Sequence, residues 1–265
     1  ELIEKGSDVI KTWEGLTAED YVGIVREAHK RGIKVHSHLY EPEDIRLAID
    51  GGVDVLQHMG SAGSPRYEAA LLEEIARKKI PVVQTISHRI WVYPATLEFP
   101  GRLDNPKLAR YIPPHIYAEL QRSFADITTL PYFSEIETET RNSKTSAAQF
   151  IETGAFMGVG TDAASPLNFH TEAMWREMSA LVDLGMTPIQ VISAATKNGA
   201  EIIGNARQLG TLEPGKLADL IVVEGSPLED NNMLKFVRAT VRDGVPWYDP
   251  QQTVLPGLAE VGRSY

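Results

Sequence analysis

Two histidines, His36 and His58, each close a short run of strand-forming residues. The first run is Ile33-Lys-Val-His-Ser-His38 and the second is Val53-Asp-Val-Leu-Gln-His58. Two further chemically able residues stand in equivalent places: Lys11 near the end of the run Asp8–Trp13, and Asp162 just past Ala155–Gly160. Parallel α/β folds gather their chemistry at the carboxyl ends of strands, so residues far apart in sequence can share one site there. Two imidazoles and a carboxylate are the ligand types of a hydrolytic divalent ion, which lowers the pKa of a bound water to about 7. A carboxylate beside that water can also take its proton and return it to a leaving amine. Lys11 as an ammonium would repel a cation; it joins the ligand set only as a carbamate formed with CO₂, and is otherwise an ion-pairing lysine. Either histidine alone reads first as an ordinary strand-end residue, and the co-location of all four carries the metal reading.

The elements that must position these residues alternate. Thr17-Ala-Glu-Asp20 has the form of a capping box, opening a helix to about Lys30 that Gly32 ends. Pro42 to Ile49 reads as a helix with proline in its first turn, and Tyr67 to Lys79 as another. Pro81–Thr85 and Ala155–Gly160 supply two more strands, giving five with the runs ending at Lys11, His36 and His58. Between them, Ile86 to Thr153 carries Pro94, Pro100, Pro106, Pro113, Pro114 and Pro131, with one helical stretch near Tyr117–Phe124; connections this long are functional or contain helices of their own. Helices follow at about Thr171–Leu184, Pro188–Thr196 and Asn198–Ile203. After Gly210 the texture changes to a turn-rich entry, a strand over Leu217–Val223, and a hairpin turning at Asp243-Gly244. The division is therefore residues 1–208 for the α/β part and 209–265 for a β element and tail, with Gln251–Tyr265 a surface tail or packed arm. Glu1 to Gly6 reads as the last turn of a helix with its terminating glycine.

Composition narrows the function classes. The chain has 265 residues, 43% hydrophobic and 23% charged, which is the balance of a globular protein. Its net charge is −10, with no basic cluster, which argues against a nucleic-acid partner. There is no cysteine, so any metal site must use His, carboxylate or modified Lys. No apolar run approaches the roughly 20 residues of a membrane span and no signal peptide opens the chain, so a cytoplasmic location is expected.

The chain resembles the amidohydrolase superfamily, and most its imidazolonepropionase/prolidase-like branch. The resemblance rests on Gly6-Ser-Asp-Val-Ile-Lys11, His36-Ser-His38, Ala48-Ile-Asp-Gly-Gly-Val53, Gln57-His58-Met-Gly60 and Gly158-Val-Gly-Thr-Asp162-Ala. It continues through Ser193-Ala-Ala-Thr-Lys-Asn198-Gly-Ala and, most specifically, Leu209-Gly-Thr-Leu-Glu-Pro-Gly-Lys-Leu-Ala-Asp219-Leu-Ile-Val-Val. It implies a (β/α)₈ TIM barrel of which this chain holds strands 4 to 8, followed by part of a small composite β domain. By position it makes Lys11 the carbamate bridge of strand 4, His36 and His58 ligands on strands 5 and 6, and Asp162 the strand 8 ligand and catalytic proton shuttle. The implied cofactor is zinc, as one divalent ion or two bridged by carboxylated Lys11. The implied reaction is hydrolysis of a carbon–nitrogen bond in a small molecule (an amide, dipeptide, cyclic amide or urea) by hydroxide on the metal. The family's strand 1 His-x-His pair and strands 1 to 3 have no counterpart here, and Gln57 stands where relatives often carry Glu. Further residues of the same protein or a complementing polypeptide would supply them, and a homo-oligomer is the other assembly expected. Two alternatives remain: a mononuclear deaminase-type member in which Lys11 is structural, and a catalytically silent subunit.

Among the other candidates, His88 lies just past the Pro81–Thr85 strand and could hold substrate. His38 shares a face with His36 and is read as a packing or hydrogen-bonding residue before a pocket residue. His170 is expected to support a loop, and His29 and His115 to lie at the surface. Trp91, Tyr93 and Phe99 are read as packing for the long insertion, with a lid as the alternative. Asp219 and Glu213 are expected to pin backbone amides at the entry to the β element.

Overall fold

The structure is a computed structural model that describes residues 1–59, 66–105, 108, 112–126, 129–130 and 133–247. The Gly/Ser loop at 61–65, Gly60, Pro106, Pro131 and the tail 251–265 discussed above lie outside the described residues.

Five parallel strands lie side by side in chain order: β1 (Val9–Thr12), β2 (Lys34–His38), β3 (Val55–Gln57), β4 (Val82–Gln84) and β5 (Met157–Val159). Helices α1 (Ala18–His29), α2 (Pro42–Asp50) and α3 (Ala69–Lys78) connect the first four strands in strand–helix–strand units. Among the described residues β1 pairs only with β2 and β5 only with β4, so the sheet is open at both edges. The five strands expected from the sequence are therefore present and parallel, and among the described residues they form an open sheet.

Local sequence explains the crossovers. The capping box of α1 forms as expected, with Asp20 N–H donating to Thr17 Oγ1 and Thr17 N–H to Asp20 Oδ2. From that start Tyr21, Val25 and Ala28 recur along one face and are buried. Pro42 occupies the first turn of α2, which buries Ile45, Ala48 and Ile49. These side chains join Val35, Leu56 and Val82 of the strands in one core. Gly51 allows the close approach: a Cβ there would meet Tyr21 Cβ at 2.4 Å. Asp54 ties the layers, accepting from Val35 N–H at 2.7 Å while bonded to His29 Nε2 at 2.8 Å.

The described part of the segment after β4 carries helices of its own. It begins with a π turn over His88–Val92 and continues through α4 (Tyr93–Glu98), a 3₁₀ turn over Pro100–Asp104, α5 (Pro114–Ser123) and α6 (Ile136–Glu152). Tyr93 is buried against Phe133, whereas Phe99 is exposed. Trp91 lies under the guanidinium of Arg176 at 2.9 Å, and Arg102 pairs with Glu172 beside it. Trp91 and Tyr93 thus pack the insertion as expected, whereas Phe99 does not. Beyond β5 come α7 (His170–Asp183), α8 (Pro188–Ser193) and α9 (Gly199–Ile202). Lys34 Nζ caps the end of α9 by donating to Ile202 O at 2.7 Å and Glu201 O at 3.3 Å.

A second, antiparallel sheet follows: β6 (Leu220–Val223), β7 (Val237–Arg242) and β8 (Val245–Trp247). Asp243 and Gly244, at φ 50° and 75°, make the left-handed two-residue turn that their types favour. Asp219 Oδ1 accepts from Asp243 N–H at 2.6 Å, the amide-pinning role expected of it. At the start of the chain a 3₁₀ turn over Ile3–Lys5 ends on Gly6 at φ 91°, as its glycine suggests. No described helix is long and apolar enough to cross a membrane.

Candidate metal centre

Register brings the first pair together. Lys11 of β1 is the direct partner of His36 of β2, and His38 of β2 is the partner of Gln57 of β3. Alternation on β2 turns Val35 and Ser37 toward the helices, where Ser37 Oγ accepts from Thr12 Oγ1 at 2.8 Å. His36 and His38 consequently share the opposite face.

The two histidines at the core of the site are held from behind. His36 Nδ1 lies 2.9 Å from Gln57 Nε2, and His58 Nδ1 lies 2.9 Å from Thr85 Oγ1. Contacts of this kind fix ring orientation and direct Nε2 toward a ligand. For Nε2 of His36 to carry a lone pair, Nδ1 must donate, which half a turn of the Gln57 amide permits by presenting Oε1. His58 Nε2 faces Lys11 Nζ at 3.0 Å. Burial, with the Lys34 and Lys11 charges, lowers the His36 pKa to about 4. Burial likewise takes His58 to about 4 against the pull of Asp162. Both imidazoles are thus neutral at pH 7, as metal ligation requires.

His58 and Asp162 lie just beyond their strands, not within them. Both adopt left-handed backbone, at φ 64° and 48°, a conformation that costs a non-glycine residue about 1–3 kcal/mol and clusters at functional sites. Asn168 holds the Asp162 turn, its Nδ2 donating to Thr161 O at 2.7 Å and Asp162 O at 3.2 Å. Burial raises the Asp162 carboxyl. The Ser165 hydroxyl, donating at 2.7 Å, outweighs it together with the neighbouring His58, His88 and Lys11 groups, leaving the pKa below the usual value. Asp162 is therefore ionised and feels the same groups that surround His58.

The expected residues thus gather at one end of the sheet, with Lys11 and His58 in direct contact. Among the described residues no group of three or more His, Asp and Glu side chains is close enough to hold an ion. Lys11 Nζ sits where the His58 lone pair points, which is the place an ion would take. The donor chemistry (neutral imidazoles backed at Nδ1 and an ionised carboxylate) fits a divalent cation. His88 is buried, at 3% exposure, with its ring edge-on to Tyr93. His38 stacks on Trp13 at 3.6 Å and lies 4.7 Å from the His58 ring; both its nitrogens are buried without a hydrogen bond among the described residues.

Three residues of the site were silent in the sequence reading: Thr85, Asn168 and Glu177. Glu177 of α7 is fully buried, and its carboxylate accepts from Ile86 N–H at 2.9 Å and Ser87 N–H at 2.7 Å. Burial raises its pKa to about 7 against those two donors. A glutamate on an amphipathic helix gives no sign of burial. Thr85, at the end of a strand already assigned, could have been suspected.

Residues 14–246 match the model of the amidohydrolase family. The imidazolonepropionase of Geobacillus kaustophilus is 40% identical over 77 residues, covering 29% of this chain and 18% of that protein. The imidazolonepropionase of Rhodococcus jostii is 26% identical over 201 residues, covering 73% and 44%. Among solved structures, an Xaa-Pro dipeptidase with bound methionine superposes with a TM-score of 0.67 at 22% identity, covering 94% of this chain and 56% of that one. Phenylurea hydrolase B gives 0.68 at 19% identity, covering 93% and 54%. The chain spans less than half the length of these curated relatives and just over half of these structures. With the family's pattern matched over most of its length, the chain belongs to the amidohydrolase family.

Proposed function

We propose that this chain carries the larger share of the active site of a metal-dependent hydrolase acting on a carbon–nitrogen bond in a small molecule. Amides, dipeptides, cyclic amides and ureas are the substrate class. The observation that carries the reading is the pair His36 and His58, kept neutral by burial and each backed at Nδ1 by a neighbouring strand. His36, His58 and Asp162 would hold a divalent ion, zinc being the expected one, with Lys11 joining them when carboxylated. Such an ion, when bound, polarises the substrate carbonyl and acidifies a water. Asp162 is ionised beside that position, so it accepts the proton that water gives up and delivers it to the leaving nitrogen. The neutral imidazoles do not compete for that proton. Imidazolonepropionase, dipeptidase and phenylurea hydrolase relatives support the bond class without selecting a substrate.

The contact of Lys11 Nζ with His58 Nε2 favours one second reading, a mononuclear site in which unmodified Lys11 braces His58. Either reading needs Asp162. Asp162→Asn in the intact enzyme keeps the fold and lowers turnover of a cleavable amide by about 10²–10⁴-fold, the worth of one positioned acid–base group. Near-normal turnover by this variant would remove Asp162 from the reaction.

A further inference from the structure

Glu177 is an unusual residue for its place. A fully buried carboxylate with no described cation against it costs several kcal/mol unless donors replace its water. Its two oxygens are each taken by one of two consecutive amides, Ile86 N–H and Ser87 N–H. Those amides belong to the first two residues after Thr85, where the chain leaves the sheet and enters the π turn beginning at His88. A carboxylate bridging successive N–H groups fixes the direction of that exit, as turning either peptide away breaks one of the two bonds. The residue whose placement depends on the exit is Thr85, whose hydroxyl contacts His58 Nδ1 at 2.9 Å. On the far side Gly160 leaves room for Thr85: a Cβ at 160 would meet Thr85 Cγ2 at 3.0 Å. Thr85 is thus held between the β5 backbone and a turn anchored from helix α7.

We propose that Glu177 is a positioning residue for the candidate metal centre, acting through the Ile86–Ser87 amides and the Thr85 hydroxyl to set the ring of His58. The proposal rests on the reading of His58 as a metal ligand. Glu177 touches neither ion nor substrate; its effect travels through one backbone turn and one hydroxyl. Glutamine in its place offers one acceptor and one amino group to two N–H donors, so one of the two bonds is lost and the turn relaxes.

The test is a double-mutant cycle on the intact protein, reading Zn²⁺ affinity by competition with a chromophoric chelator. Glu177→Gln and Thr85→Val are each expected to weaken Zn²⁺ binding by about 10–100-fold, the usual effect of losing support behind a ligand. Because both act on the same ring, the double variant should bind no more than about threefold more weakly than the worse single variant. Thr85→Ser, which keeps the hydroxyl, should bind as the parent does. A double variant whose loss is the product of the two single losses would overturn the proposal, and so would parent-like binding by Glu177→Gln. If Glu177→Gln does not fold, Glu177→Asp, which retracts the carboxylate by one methylene, takes its place under the same two criteria. His58→Ala separates the levels: parent-like Zn²⁺ binding by that variant removes His58 from the ligand set, whereas its loss beside an additive cycle removes Glu177 alone.

Discussion

Acid should destabilise the metal-free protein sharply above the range where carboxylates usually titrate. Burial, with neighbouring positive charge, lowers four histidines: His36 and His58 to about 4, His38 and His88 to about 3. Each regains its ordinary value near 6.5 when the chain unfolds, so between pH 6.5 and 4 the unfolded state binds more protons. Stability from these groups is therefore complete above pH 6.5 and is lost as the pH falls. At pH 5 the loss is about 2 kcal/mol per histidine, or about 8 kcal/mol for the four. Glu177 works in the opposite sense. Its folded pKa is raised to about 7, so its penalty at neutral pH disappears as the pH falls toward 4.5, returning about 2–3 kcal/mol by pH 5. The net expectation is a loss of about 5 kcal/mol between pH 8 and pH 5, comparable to the whole stability of many domains. Urea unfolding of metal-stripped protein at half-unit pH steps measures it directly. Stability constant to within about 1 kcal/mol over that range would mean that the four imidazoles are not buried as a neutral group, and the site geometry would be wrong.

Other outcomes follow from packing. Ile45, fully buried between α2 and the sheet, should cost about 2–5 kcal/mol when replaced by Ala, read as a lower urea midpoint with an unchanged slope. Gly160→Ala places a Cβ 2.8 Å from Val83 Cγ1 and 3.0 Å from Thr85 Cγ2, so β4 side chains must yield; about 1–3 kcal/mol of destabilisation is expected by the same assay. Wild-type stability in Gly160→Ala would show that β4 and β5 do not approach as closely as described.

Much of this arrangement is legible in the residues. Thr17 with Asp20, Pro42, and Asp243 with Gly244 are local signals, each satisfied within a few residues, and each forms as read. The five strand runs were visible as short stretches rich in β-branched and apolar residues between turn signals, although β3 and β5 stop short and leave His58 and Asp162 on left-handed turns instead of strand ends. Helix α6 was invisible for a physical reason. Its buried face carries Asn142, Ser143, Ser146 and Gln149 beside Ala147 and Phe150, so hydrophobic periodicity is absent where packing is tight. Gln149 uses that position to clasp both Tyr67 N–H and Tyr67 O at 2.9 Å, a long-range pair no local pattern announces. In the site, residue types and spacing pointed to Lys11, His36, His58 and Asp162. The groups that orient them did not show, because Thr85, Asn168 and Glu177 act through contacts between elements distant in sequence.

The claim on which everything else depends is that His36, His58 and Asp162 ligate a divalent ion. Diffraction from crystals of the intact protein grown with Zn²⁺, recorded on both sides of the zinc absorption edge, tests it most directly. The account predicts an anomalous peak about 2.0–2.2 Å from Nε2 of His36, Nε2 of His58 and a carboxylate oxygen of Asp162, with a second peak bridged by Lys11 if that residue is carboxylated. Fully occupied zinc bound elsewhere, with His36 and His58 remote from any peak, would contradict it.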